Sequence, residues 1–360
     1  MSKIKEYVDI SKHSTFKIGG QFRYFTEIHN QDEITNVYLF AKEKDVPVFI
    51  LGDGSNIVFS DVMINVLAMK MKILGFSVLD GSASGGENSE YVDVKAGAGE
   101  NWDKFVEKTV EMNLAGLESL SAIPGTVGAT PVQNVGAYGA EVKDTIVSVE
   151  VFDTKEGKMT FLSNENCKFG YRDSIFKHEG RGRYVVLSVT YRLSKHGQKQ
   201  MLSRDSHSGL KSLNDLAVAH VAESTVSVPV SLKQRRQEII ETRWKKLPHP
   251  EEIPNVGSFF KNPIIPRQQF IKIPTSPTGG EIPNYDMGNN MVKIPAGWLI
   301  EQAGLKGKSF GNISVYDKNA LVLINNGGAT QNNLIKAKNE IIKTVHEKFE
   351  ITLEQEPEIL

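Results

Sequence analysis

The chain has 360 residues, 40% of them hydrophobic and 24% charged, the make-up of a globular protein of two or three domains. Its 42 Lys and Arg nearly balance 43 Asp and Glu, for a net charge of −1, so no overall basic field exists to hold nucleic acid or an anionic membrane surface. One cysteine, Cys167, leaves no internal disulfide and no cysteine-based metal site, and the eight histidines have no ligand spacing, so no metal is expected.

The N-terminal residues lack the apolar core of a signal peptide, and no run reaches the length of a membrane span. A cytoplasmic protein without membrane insertion is expected. Residues 31–45 read as a helix, with Asn30 as cap and Glu33 at capping-box spacing. An apolar strand at 46–51 runs into Gly52-Asp53-Gly54-Ser55-Asn56, and 57–59 resumes an apolar run. Such a turn is either a plain hairpin or a nest of N–H groups for a phosphate. Strands are predicted at 64–71 and 91–96, with a polar loop at 81–90 between them. Trp102, Phe105, Val106 and Val110 then recur at helical spacing.

Residues 119–140 read SLSAIPGTVGATPVQNVGAYGA, with no charge but with Gly125, Gly128, Gly136, Gly139, Pro124 and Pro131. So many prolines and glycines oppose a helix and leave buried irregular backbone. Its N–H and C=O groups need partners, which either a tight structural loop or a large ligand can supply. Strands are predicted at 145–152, 158–162 and 184–193, and a long polar loop or lid at 194–215. Ser231 with Gln234 caps a helix to about 246, whose Arg235, Arg236, Arg243, Lys245 and Lys246 read mainly as a solvated face. A short helix at 296–303, a strand at 319–325 and an amphipathic helix at 330–349 complete an α+β chain with no regular βαβ alternation.

No serine-hydrolase elbow and no Walker loop is present. Isolated polar residues stand instead in apolar or aromatic settings. Taken singly, Arg172 reads as a paired structural arginine, Ser258 as a turn residue and Glu358 as an exposed tail residue. A cofactor that carries the chemistry would explain why no acid–base machinery is visible.

Eight segments together carry a resemblance: ILGDGSNIVF from residue 50, AGAGENW from 96, GLESLSAIPGTVGATPVQNVGAYGAEV from 116, FGYRDSIFK from 169, KLPHPEEIPNVGSFFKNP from 246, AGWLIEQAGLKG from 296, ALVLIN from 320 and LEQEPE from 353. In order and spacing the chain resembles the long form of the UDP-N-acetylenolpyruvoylglucosamine reductase (MurB) family, flavoenzymes of peptidoglycan precursor synthesis. The resemblance implies an FAD-binding fold of the vanillyl-alcohol-oxidase kind in two α+β subdomains, plus a C-terminal α+β substrate-binding domain. The boundaries would be 1–70, with 350–360 returning to it, then 71–228 and 229–349. It implies FAD against Gly52, Gly54, Ser55, Asn56, Ile57, Ile123, Pro124, Gly125, Gly128, Ala129, Thr130, Asn134, Gly136, Ala137, Tyr138 and Tyr171, the phosphates held by backbone N–H groups and hydroxyls such as that of Thr130.

NADPH would reduce the flavin, and the enolpyruvyl ether of a UDP-sugar would then be reduced in the same site. Arg172, Ser258 and Glu358 carry over as catalytic residues. Lys246, Asn262, Tyr285 and Asn319 carry over as substrate-binding residues. A monomer is expected. Two other functions fit the same features less well: an FAD-linked oxidase of small alcohols or hydroxy acids, and a non-catalytic relative that binds a nucleotide sugar.

Overall fold

A computed structural model of the chain describes residues 3–79, 90–195, 230–273 and 281–360. The lid expected at 194–215 lies, from residue 196 on, outside the described residues, as does nearly all of the loop expected at 81–90.

The first sheet is built from β1 (Lys5–Asp9), β2 (Gln21–Ile28), β3 (Val48–Leu51) and β5 (Ile64–Met71), while the short β4 (Ile57–Val58) stands outside it. The order is β1-β2-β5-β3, with β2 and β3 both parallel to β5. Parallel neighbours need a covered face. Helix α1 (Asp32–Glu43) supplies it, packing Ile34, Val37 and Ala41 with Ile28, Leu67 and Met69. The helix starts later than the Asn30 cap predicts. Gln31 takes the cap position, and the Glu33 carboxylate accepts from the His29 N–H at 2.8 Å.

The second sheet contains β6 (Phe76–Leu79) and β7 (Tyr91–Gly97) and, beyond the Gly-rich stretch with its small hairpin β8 (Gly136–Ala137) and β9 (Ala140–Glu141), also β10 (Ile146–Asp153), β11 (Lys158–Ser163) and β12 (Tyr184–Ser194). It is antiparallel in the order β11-β10-β12-β7-β6. Helix α2 (Trp102–Glu111) lies on it, its N-terminus capped by the Asn101 side chain. Trp102, Phe105 and Tyr191 pack with ring centroids 5.2–5.9 Å apart. Trp102 Nε1 donates to the Leu120 carbonyl at 2.9 Å, so the same aromatic core anchors the start of the Gly-rich stretch.

The C-terminal part begins with α3 (Leu232–Lys246), capped by the expected Ser231–Gln234 box. β13 (Asn255–Ser258), β14 (Ile264–Pro266), α4 (Arg267–Ile271), β15 (Tyr285–Asp286), β16 (Met291–Lys293), α5 (Ala296–Gln302), β17 (Ile313–Val315), β18 (Val322–Asn325), α6 (Gln331–Phe349) and β19 (Glu358–Ile359) follow. They make two three-stranded sheets, β13-β18-β17 and β14-β16-β15. On α6, Leu334, Ile341, Val345 and Phe349 face inward as the period predicts, and Ile342 packs at the margin. No helix of the described residues is long and apolar enough to cross a membrane.

Two sequence readings change. Residues 52–56 do not turn a hairpin: β3 belongs to the first sheet, whereas β4 pairs in parallel with β19 from the far end of the chain. Nor is α3 a uniformly solvated face. Arg236 is 8% exposed and grips Asp103 of α2 through two nitrogens at 2.5 and 3.0 Å.

At Gly128 a Cβ would lie 2.6 Å from Ala98 Cβ, so the Gly-rich stretch can seat on β7 only without a side chain there. Gly128→Ala is expected to cost about 1–3 kcal/mol, read by urea unfolding. A loss within experimental error would mean that the stretch can move away from the sheet freely.

Candidate functional site

The Gly52–Asn56 turn and the Gly-rich stretch face one cleft of 1140 Å³. Two contacts clamp them together: Ser55 Oγ donates to the Pro124 carbonyl at 3.2 Å, and Asn56 Nδ2 donates to Gln133 Oε1. Close approach depends on glycine. A Cβ on Gly125, where φ is +131°, would meet Ser55 Oγ at 3.1 Å, and a Cβ on Gly54, at φ +66°, would strike the His13 carbonyl. Among the described residues, no protein acceptor meets the backbone N–H of Gly54, Ser55, Asn56 or Gly125. Free N–H groups on glycine-permitted backbone form an anion nest, which fits the pyrophosphate of FAD.

Of the residues expected to hold FAD, all line the cleft except Asn134. Asn134 is fully buried, and its side chain is spent inside the protein. Its Nδ2 donates to the Gly170 carbonyl and Glu141, and its Oδ1 accepts from the Lys143 N–H. Thr130 borders the cleft, but its hydroxyl bonds the Val127 carbonyl and the Tyr191 hydroxyl, both at 2.8 Å. It therefore has no donor left for a phosphate, and the N–H groups must carry that work.

Farther along the cleft, residues 170–173 make a tight turn. Gly170 and Asp173 exchange backbone bonds at 2.9 and 3.3 Å, and Arg172 sits at φ +55°. A non-glycine residue in that region costs about 1–3 kcal/mol and persists only where its surroundings fix it. Lys177 Nζ donates to the Arg172 carbonyl at 3.1 Å, and Arg172 Nη2 donates to the Gly136 carbonyl at 2.8 Å. Arg172 Nε lies 2.9 Å from Glu356 Oε1, with its N–H off the line to that oxygen. Burial opposes the guanidinium's charge, but Glu356, Tyr171 and Glu141 together hold the group above its ordinary pKa. Burial, with Lys261 nearby, pushes Lys177 down.

The acidic partner of Arg172 is thus Glu356, whose side chain is 11% exposed. Glu358 borders the same cleft, yet its side chain is 43% exposed and pairs with Arg181. The reason is backbone pairing. Glu356 N–H bonds the Phe259 carbonyl, and Glu358 N–H bonds the Asn56 carbonyl, so the strand changes partner across Pro357. In an extended segment residues two apart share a face. The change of partner gives the two glutamates different neighbours, Arg172 for Glu356 and Arg181 for the Glu358 that the resemblance singled out.

Ser258 ends β13, after Gly257 at φ +73° and a bulge against β18. Buried Asn255 fixes that bulge, accepting from the Gly257 N–H at 2.8 Å and donating to the Pro248 and Ile253 carbonyls. Ser258, Lys246, Asn262, Tyr285 and Asn319 all line the cleft with Arg172. Asn262 takes the N–H of Ala296, the first residue of α5, at 2.9 Å, and its own N–H donates to the Tyr171 hydroxyl at 3.3 Å. Asn319 Oδ1 accepts from Leu321 N–H at 3.0 Å. Lys293, which sequence reasoning missed, lies between Tyr171 and Tyr285, 5.4 and 5.0 Å from their ring centres. It sits on β16 directly opposite Tyr285 of the neighbouring antiparallel strand β15.

Known proteins are similar to this chain along its whole length. Residues 249–360 match the model of the UDP-N-acetylenolpyruvoylglucosamine reductase C-terminal domain, and residues 23–163 match an FAD binding domain. The UDP-N-acetylenolpyruvoylglucosamine reductase of Flavobacterium johnsoniae is 37% identical over 358 residues, covering 99% of this chain and all of that one. That of Bdellovibrio bacteriovorus is also 37% identical, covering 99% of each. The crystal structure of the enzyme from Thermus caldophilus superposes with a TM-score of 0.65 at 20% identity, over 100% of this chain and 99% of that one. That likeness supports the expected α+β fold. With relatives this similar along its whole length, the chain belongs to the UDP-N-acetylenolpyruvoylglucosamine reductase family.

Proposed function

We propose that the protein reduces the enolpyruvyl ether of UDP-N-acetylglucosamine to UDP-N-acetylmuramate, using NADPH through bound FAD. One observation carries the reading. The strained turn bearing Arg172, the partly buried Glu356 and Ser258 all border the cleft that the anion nest opens into. In this reading residues 1–228 cradle FAD, 229–349 receive the substrate, and 350–360 return to the cofactor side. The setting is cytoplasmic, where a UDP-sugar and NADPH are to hand, and a monomer suffices because one chain supplies both sides of the cleft.

Bound FAD supplies the hydride carrier between NADPH and the enolpyruvyl group. The net change at substrate is hydride at the methylene carbon and a proton at the carbon bearing the carboxylate. Negative charge grows on that carboxylate as hydride arrives. Arg172 meets it with a guanidinium already fixed by Gly136, Glu356 and the Lys177-held backbone, so little reorganisation is needed. Ser258 gives the proton to carbon. Its hydroxyl is a weak acid, so it serves only a strongly basic enolate held at the right geometry. Lys246, Asn262, Tyr285 and Asn319 orient the nucleotide sugar. Glu356 keeps Arg172 charged and aimed, in place of the Glu358 that the resemblance gives as the third catalytic residue.

NADPH is expected to bleach the flavin of the purified protein, and the enolpyruvyl substrate to restore its colour. Ser258→Ala should leave bleaching within about twofold and slow recolouring by roughly 10²–10⁴, followed by stopped-flow absorbance. Equal loss in both half-reactions would sink the serine assignment. Glu356→Gln should lower turnover by about 10², whereas Glu358→Gln should stay within about twofold, as a surface pair of small energy predicts. The reverse order would return the role to Glu358. Colour restored by O2 alone, at the same rate without substrate, would make the protein an oxidase.

A further inference from the structure

Arg243 stands in the last turn of α3 and lines the cleft. Part of its side chain faces the cleft, while its guanidinium is enclosed by the surrounding walls. Among the described residues no carboxylate pairs with it, and its Nε has no partner. Its guanidinium faces the hydroxyl of Tyr138, which projects from the tip of the β8–β9 hairpin at φ +50°, and lies 5.8 Å from the ring centre of Trp244. The acid whose charge reaches it, Asp103, is already engaged by Arg236 and by the Ala122 N–H at 2.5 Å. Two other arginines largely screened from solvent are matched: Arg172 by Glu356 and Arg236 by Asp103.

Burying an unneutralised cation opposes folding unless an anion joins it. The carbonyl end of α3 offsets part of the charge, but it offers no bidentate partner. A guanidinium fork matches two oxygens of a phosphoryl group. Tyr138 lies two residues beyond Gly136, whose carbonyl holds Arg172, and Lys246 lies three residues beyond Arg243. Arg243 therefore borders the cleft between the Gly-rich stretch and the C-terminal part.

We propose that Arg243, assisted by the Tyr138 hydroxyl, binds a phosphoryl oxygen of a pyrophosphate diester in the cleft. This rests on the function proposed above, which brings two such diesters to the cleft, FAD and the UDP-sugar. Two titrations separate the sources: FAD against riboflavin on the apoprotein, followed by flavin fluorescence, and UDP against uridine on the FAD-loaded protein, followed by the flavin spectrum. Arg243→Gln is expected to weaken FAD or UDP by roughly tenfold to a hundredfold and to leave riboflavin and uridine within about twofold. Arg243→Lys should recover part of the loss.

Loss confined to FAD assigns the flavin's pyrophosphate, and loss confined to UDP assigns the sugar nucleotide's. Unchanged affinity for both overturns the proposal. The apoprotein of Arg243→Gln should melt no lower than wild type, since an uncompensated charge has gone. If that variant does not fold, Tyr138→Phe is read by the same titrations, with a several-fold loss expected and no loss counting against the proposal. Wild-type protein that binds FAD and UDP yet does not turn over the enolpyruvyl substrate with NADPH would remove the functional reading without touching these titrations.

Discussion

The residues from Glu354 onward join the two halves of the cleft through a run of backbone hydrogen bonds. The Glu354 carbonyl accepts from Lys261 N–H at 2.8 Å, and Glu356 N–H reaches the Phe259 carbonyl at 2.9 Å. Two residues on, Glu358 N–H bonds Asn56 at 3.2 Å and Leu360 N–H bonds Val58 at 3.0 Å. One strand therefore registers the Ser258 motif against the Gly52–Asn56 turn. The position of Glu356 beside Arg172, and so the charge balance at the reacting end of the cleft, depends on that register. None of it could be replaced by side-chain contacts of similar strength without losing the fixed spacing, because ladder bonds set distance as well as energy.

Around this seam the site shows where an α+β scaffold places strain. Arg172, Tyr138, Asn134 and Ala122 all have positive φ, and all lie in or beside the segments that wall the cleft. Each costs free energy that the surrounding core must cover. The covering bonds are specific: Asp103 on the Ala122 N–H, Gly170 on the Asn134 amide, Lys177 on the Arg172 carbonyl. The aromatic group of Trp102, Phe105 and Tyr191 holds the other flank, through Leu120 and Thr130.

Local signals in the sequence read well. The cap at Ser231, the inward face of α6, and the strands at 64–71, 158–162 and 184–193 follow from spacing and side-chain type alone. The uncharged glycines of 119–140 also announced backbone meant for close approach. What the sequence hid is non-local. The β4–β19 pair links residues about 300 apart and has no local signature. Which of Glu356 and Glu358 meets Arg172 turns on a change of strand partner at Pro357. Thr130 and Asn134 sit within a cofactor-facing stretch, yet their side chains turn toward Tyr191 and Gly170, which no motif records. On α3, charge read as solvation, because the acid that meets Arg236 comes from another helix.

The apolar cluster of the C-terminal part takes in Phe16, Ile18 and Val58 from the first part of the chain. Sequence matching divides the protein between residues 163 and 249, but the core is not divided there. A C-terminal piece cut out alone would lose three wholly buried apolar side chains and the partner of its last strand. Recombination between distant relatives in that interval would therefore have to match three positions far upstream. The natural unit of exchange in this protein is the whole chain, and its parts are modular in sequence only.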